Sequence, residues 1–422
     1  MIDRFTRRNV LEIGITEMFI TEMGIGMCRM PDQVDDTPVL PQEMLDLIMS
    51  FLRDDSNALK CCSLVCKSWC WSARSYLFRD LVVADRNKDL VLETPLNTSP
   101  YYNVAHYVRR VRIRDIQFHN LVVSPKSLLS SVSHTLTRLH LCRCHFDNFV
   151  SLVRIIQMFP SIQDLNLENV DWDNNGTLRL SSRESWSSSA LMRLGLKDVR
   201  MAPILLWLMP STKPLLITHL KFDPIKPEDF AVICHFCSTV NKTITYLQMC
   251  LEMEDDLISY LPCQSSQELQ SLDSSTDIAR LYSTTFNIPN YVSRASLSKL
   301  VTLRIDKFMD STDIDRQSNS LSWTARMLSK IDTPDTFKYL ILQIVISRTG
   351  ELDECRVTRW DFFDEALGGD VFVNFRYLEF EMVGKVDMAG VTSLFSRRLP
   401  KLSQRGRLRF TNVNSHIGGR SP

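Results

Sequence analysis

An apolar triplet recurs along this chain at a nearly constant interval, and no other feature restricts its fold as much. The triplet occupies relative positions one, four and six. It reads Val108-Val111-Ile113, Leu136-Leu139-Leu141, Ile162-Leu165-Leu167 and Leu191-Leu194-Leu196. It continues as Ile217-Leu220-Phe222, Ile244-Leu247-Met249, Leu300-Leu303-Ile305, Phe337-Leu340-Leu342 and Phe375-Leu378-Phe380. Phe78-Leu81-Val83 fits as well. The steps from residue 108 are 28, 26, 29, 26 and 27 residues, and the next, from 244 to 300, is 56, twice 28. Beyond 300 the steps widen to 37 and 38, which requires longer loops or added helices. Positions four and six of a strand share one face, so both enter a common core. The stretches between triplets supply covering helices. Asn148 to Phe159 places Phe149, Val153, Ile156 and Phe159 on one face before Pro160 stops it. In Pro227 to Val240, Pro227, Glu228 and Asp229 suit a first turn, and Phe230, Ile233, Cys237 and Val240 form the stripe. Strand, helix and strand at this period wind right-handed around a parallel sheet.

This period and triplet are the spacing of leucine-rich repeats, and the chain resembles the irregular members of that class. The expected fold is therefore an α/β solenoid over residues 80–411 with a parallel inner sheet. The asparagine that usually follows the strand in such repeats is missing, and Cys144 and Val170 occupy its place. Residues 251–299 hold either one degenerate repeat, around Leu269 to Asp273, or an insertion. The cluster Glu252, Glu254, Asp255 and Asp256 suits a solvated surface loop. Residues 1–36 and the polar tail 412–422 are expected to be poorly ordered.

A different pattern precedes the repeats. Residues 40–78 read LPQEMLDLIMSFLRDDSNALKCCSLVCKSWCWSARSYLF. Pro41 suits a helix start, and Met44, Leu45, Ile48, Phe51 and Leu52 recur at helical spacing. Asp54, Asp55 and Ser56 break that helix and offer a cap for a second one carrying Leu59, Cys62, Val65 and Cys66. A third stretch carries Trp69, Ala73, Tyr76 and Leu77. Three short helices bury too little surface to be comfortable alone, so such a module usually completes its core on a partner. The order Leu40-Pro41-x-Glu43, an apolar helix, then Leu64-Val65-Cys66-Lys67-Ser68-Trp69 resembles an F-box of the fungal type, over about residues 37–79. The resemblance implies docking onto the Skp adaptor of a cullin–RING ubiquitin ligase, with the chain as substrate receptor. The implied docking face is Leu40, Pro41, Ile48, Phe51, Leu52, Val65, Cys66 and Trp69. A scaffold that binds a partner with no ubiquitin output needs the same solenoid and is the alternative.

Composition narrows the rest. Lys plus Arg equals Asp plus Glu, at 49 each, so no overall field draws the chain to nucleic acid or an anionic membrane. The longest apolar runs, Ile204 to Met209 and Leu340 to Ile346, are far too short to span a bilayer. The N-terminus has Arg4, Arg7 and Arg8 but no apolar signal core. The 12 cysteines then read as reduced thiols of a cytoplasmic or nuclear protein. Cys142-Arg143-Cys144-His145 and Cys234-His235-Phe236-Cys237 have metal-ligand residue types at close spacing. A zinc site normally needs two separated ligand pairs, so core or incidental thiols are the plainer reading and no stoichiometric metal is expected. Gly24-Ile25-Gly26 has Arg29 where a dinucleotide fingerprint needs glycine. No HExxH, GxSxG or Walker motif is present. The expectation is a binding protein, not an enzyme, with no cofactor.

Positions three, five and seven of each repeat point away from the core. They are Arg110, Arg112 and Arg114, then Arg138, His140 and Cys142, then Asp164, Asn166 and Glu168. Arg193, Gly195 and Lys197 follow, then His219, Lys221 and Asp223, while the late strand offers Tyr377, Glu379 and Glu381. Clustered arginine suits bidentate capture of carboxylate or phosphate, which makes Arg110, Arg112, Arg114, Arg138, His140, Arg193, Lys197 and Lys221 candidates for holding an acidic or phosphorylated target. Ordinary solvated strand charge is the plainer reading of the same residues.

Overall fold

The computed structural model describes residues 40–85, 102–118, 128–173, 190–209, 214–251, 297–310, 334–346 and 360–413, with Thr324, Leu328 and Ile331. Residues 1–36, most of 251–299 and the tail beyond 413 lie outside the described residues. The chain divides into two compact units, Met1–Thr177 and Leu178–Pro422.

Among the described residues the first unit opens with three helices: α1 (Gln42–Leu52), α2 (Ser56–Cys62) and α3 (Lys67–Leu77). Pro41 stands one residue before α1, and its carbonyl accepts the Met44 and Leu45 N–H groups at 3.0 and 3.2 Å. The Asp55 carboxylate caps α2, accepting from the Asn57 and Ala58 N–H groups at 3.0 Å each. Contrary to the sequence expectation, α2 ends at Cys62. Val65 and Cys66 lie in the turn before α3, where Cys66 adopts an extended conformation and its carbonyl starts the next helix. Met49, Leu59, Ala73 and Leu77 form the small core of the three helices. A polar cluster ties α1 to α3: Gln42 donates to Ser72 and Asp46, and the buried Ser72 hydroxyl donates to Asp46 at 2.9 Å. The strands β1 (Asp80–Val83), β2 (Arg110–Arg114), β3 (Gln117–Phe118), β4 (Arg138–Phe146) and β5 (Asp164–Trp172) follow, with α4 (Leu128–Ser131) before β4 and α5 (Phe149–Gln157) after it. They pair in the order β1-β2-β4-β5, all parallel, and β3 pairs with the far end of β4.

The second unit contains β6 (Arg193–Lys197), α6 (Met201–Leu208), β7 (His219–Ile225), α7 (Pro227–Thr239), β8 (Tyr246–Leu251) and β9 (Thr302–Asp310). It ends with β10 (Tyr339–Val345), α8 (Trp360–Gly368), β11 (Tyr377–Val383), α9 (Met388–Arg398), α10 (Pro400–Gln404) and β12 (Leu408–Asn412). Its strands pair in chain order, and each pairing is parallel. Tyr246 on β8 lies directly beside Thr302 on β9. β8 and β9 are thus neighbours in the sheet, and the choice between a degenerate repeat and an insertion at 251–299 falls on residues that are mostly outside the described ones. The polar tail begins later than expected, because Asn412 still pairs with Met382 on β11.

Every triplet residue from Val108 to Phe380 is at most 3% exposed. The register explains this, since Leu139 and Leu141 lie beside Leu165 and Leu167, as Val111 and Ile113 lie beside Leu139 and Leu141. Two further devices recur. The residue two beyond the last triplet position has a left-handed backbone in five repeats: Asp115, Arg143, Asn169, Asp198 and Lys307, with φ between 48 and 57°. One such residue shifts the strand alternation by one position. Ile116 and Phe118, Cys144 and Phe146, Val170 and Trp172, and Val199 and Met201 thereby return to the core. The cysteine and valine at the expected asparagine position are thus core residues. Threonines make cross-repeat hydrogen bonds instead. Thr135 Oγ1 donates to the Val108 carbonyl at 3.0 Å, Thr243 Oγ1 to Ile217 at 2.7 Å and Thr336 Oγ1 to Leu300 at 3.2 Å. Each ties the start of one repeat to the equivalent carbonyl of the repeat before.

Candidate functional site

Two surfaces carry the residues singled out in the sequence. The first is on the three N-terminal helices. α1 turns Leu45 and Met49 inward, which leaves Leu40, Met44, Leu47 and Phe51 exposed. Phe51 is 79% exposed, and Leu64 and Val65 in the turn before α3 are 64% and 58% exposed. Six large apolar side chains open to water within 26 residues is unusual for a small helical segment, because scattered single residues are the norm. Of the expected docking residues, Leu40, Pro41, Phe51, Val65 and Cys66 are exposed, and Ile48 is half-buried. Leu52 and Trp69 are partly buried and pack against the segment's own core, so their first role is to hold the helices together. Met44, Leu47 and Leu64 belong to the exposed set but are not among the expected docking residues. Leu47 lies off the apolar stripe, and a helical wheel alone does not show which of two adjacent faces the other helices cover.

The second surface is the solvent-side face of the sheet, where positions three, five and seven stand as expected. In the first unit Arg110, Arg112, Arg114, Arg138 and His140 share it, half-buried in alternation with core residues. The arginines do not form an open cationic cluster. Arg110 reaches Asp80 at 3.5 Å and Arg138 reaches Asp164 at 3.8 Å. Arg143, exposed at the bend, grips Asp115 through Nε and Nη2 at 2.5 and 3.0 Å and holds that carboxyl below its ordinary value. Arg112 makes no ion pair among the described residues and lies between the two flanking cations, directly beside His140. The carboxylates that temper the arginines come from neighbouring strands, which a strand-by-strand reading of the sequence does not bring together.

In the second unit Arg193, Lys197 and Lys221 lie on β6 and β7, with Asp223 in register beside Lys197. Further along, the face holds a network absent from the sequence expectations. Arg304 on β9 crosses β10 to meet Glu381 on β11 through two hydrogen bonds of 2.6 Å each. Its Nε donates to Asp306 at 2.7 Å, and Gln248 donates to the other Asp306 oxygen. Burial alone would lower the Arg304 guanidinium, but Glu381 and Asp306 hold it above its ordinary value.

No protein-family model matches the chain, and no curated protein matches it in sequence. The chemistry must therefore be read from the residues. Four of the described thiols are buried and unreactive in kind. Burial pushes Cys144, Cys237 and Cys250 up to about 12 and Cys234 well upward, so none of these four is a thiolate near neutral pH. Cys234 and Cys237 are core residues of α7. Among the described residues no helix is long and apolar enough to cross a membrane.

Proposed function

We propose that this chain is a target-binding subunit of a cullin–RING ubiquitin ligase, held to a Skp-type adaptor by its N-terminal helices. The observation that carries the reading is the uncovered apolar surface of Leu40, Met44, Phe51, Leu64 and Val65 on a segment with a four-residue core. Burying such side chains on a helical partner is worth about 1.5–3 kcal/mol each before association costs. The F-box-like order of residues 40–69 selects the adaptor as that partner. The repeats would supply the second grip, with the solvent-side face of the sheet holding a target. The chain itself then does no covalent chemistry; it acts by raising the local concentration of a target and orienting it.

The test is co-purification of the full chain with a Skp adaptor. Phe51→Ala with Val65→Ala should abolish it while leaving the fold intact, because neither side chain supports the core. Trp69→Ala is a poorer probe, since it also removes core packing. Capture that survives the double change removes the assigned face. Adaptor binding with no proteasome-dependent turnover of any captured partner would favour the scaffold instead.

A further inference from the structure

We propose that His140, Cys142 and Glu168 form a three-ligand site for a borderline-soft divalent cation such as zinc. The inference rests on the first unit's sheet alone and is independent of the docking reading. His140 and Cys142 are two residues apart on β4 and so share its solvent-side face, and Glu168 lies directly beside Cys142 on β5. One donor atom from each lies within 4.8 Å of the other two. The His140 Nε2 to Glu168 Oε2 distance is 3.4 Å, and the Cys142 Sγ to the same oxygen is 3.9 Å. Zinc bonded at about 2.0 Å to nitrogen and oxygen and about 2.3 Å to sulfur would set tetrahedral neighbours about 3.3–3.5 Å apart. The side chains need only small rotations to converge on one ion.

The polar bookkeeping points the same way. His140 Nε2 is buried yet makes no hydrogen bond, although the carboxylate oxygen is close. Arg112 and Arg114 lie in register beside His140 and Cys142 and would repel a bare cation. However, a thiolate and a carboxylate together cancel a divalent charge, and the loaded site is neutral. Nitrogen, sulfur and oxygen donors select zinc or its neighbours over magnesium or calcium, which take all-oxygen sets. Three protein ligands leave one tetrahedral position for water or another ligand. Neither Cys144 nor His145 of the sequence cluster takes part: Cys144 is buried in the core, and His145 meets Asp173 at 3.2 Å.

The probe is cobalt(II), added to the purified full chain after chelator treatment and then displaced by zinc. The expected result is one cobalt per chain, with a thiolate-to-metal charge-transfer band. Cys142→Ser should remove that band. His140→Ala and Glu168→Gln should each weaken binding by at least about tenfold, the loss that even a supporting residue of a metal site can cost. His145→Ala should change nothing. In a second measurement on the unmutated chain, zinc should slow alkylation of Cys142 but not of the exposed Cys61 and Cys66. A chain that gives no band, a band that survives Cys142→Ser but is lost with Cys61→Ser and Cys66→Ser, or a Cys142 that zinc leaves unprotected would each overturn the proposal.

Discussion

The solvent-side faces of the two units use the same strand positions and the same residue types, yet their charges do different work. In the first unit Arg110 and Arg138 each meet an acid loosely. Arg110–Asp80 and Arg138–Asp164 span 3.5 and 3.8 Å, with side chains 28–50% exposed. In the second unit Arg304 is fixed at three points, and the side chains of Arg304, Asp306 and Glu381 are 14%, 9% and 17% exposed. Water screens the first set and lets its members exchange partners. The second set is shielded and bidentate, so it braces β8, β9 and β11. The lesson is that a charge on a repeat face cannot be assigned to binding or to structure by its position in the repeat. Depth and the neighbouring strand decide it. The helices differ as well. Asp55 and Asn148 in the first unit, like Asp387 in the second, cap their own helices, and only the second unit adds caps between helices among the described residues. In the second, Asp229 on α7 accepts from the Ala202 N–H on α6, and Asp364 on α8 accepts from the Lys401 and Leu402 N–H groups of α10.

The strongest attack on this contrast is Arg304→Ala. It strands two carboxylates in a shielded site, and breaking a buried pair from one side costs about 3–5 kcal/mol. Thermal unfolding of the full chain should show a large drop. A change no bigger than that of a surface arginine would mean that the network is as loose as its counterpart. Asp364→Ala comes next. The side chain is 4% exposed, and its loss orphans two backbone donors, one of them buried. An expected cost of about 1–3 kcal/mol follows from leaving buried donors unmade. Asp364→Asn should recover part of it, since an amide oxygen can still accept.

Much of this was legible in the sequence, for a physical reason. The triplet spacing reports which residues share a face, and burial enforces it: Leu139, Leu165, Leu194 and Leu220 are all at most 2% exposed. Helix α5 was equally plain, because Asn148, the stripe and Pro160 mark both ends. The bends were not legible. The left-handed residue at Arg143 or Lys307 carries no glycine signal, and the regained core positions follow only once the alternation shift is known. β12 was missed because Arg405 stands where its repeat should begin with an apolar residue. The exposed apolar set on α1 was legible in kind, while its membership depended on where α2 and α3 pack. Least legible were contacts across strands. Glu168 is 28 residues from His140, and Glu381 is 77 residues from Arg304. Only the register brings them together.

Threonine substitutions ask whether the units differ in their framework or only in their charges. Thr135 in the first unit and Thr243 in the second donate to the same kind of carbonyl one repeat back. Thr135→Val and Thr243→Val should each cost about 0.5–1.5 kcal/mol, the net worth of one hydrogen bond. Nearly equal losses would confine the contrast to the face charges. A Thr243→Val loss several times larger would extend it to the backbone ladder.

The smallest expected effect is that of Arg138→Ala. Its side chain is 39% exposed, and its Nε sits 3.8 Å from Asp164, beyond good hydrogen-bond range. An exposed pair of this kind contributes about 0.2–1 kcal/mol, and screening puts Arg138 toward the lower end. Added salt should shrink the difference further, since the Debye length falls to about 3 Å at 1 M. The Arg304→Ala deficit should persist at the same salt, because water and ions do not reach that pair well. Unfolding of both variants and the unmutated chain at low and high salt therefore gives two slopes to compare. If Arg138→Ala costs as much as Arg304→Ala and resists salt equally, the first unit's arginines are structural braces too. They would then be poorer candidates for holding a target, since an arginine committed to its neighbour has fewer of its five donors to offer and its charge is already met.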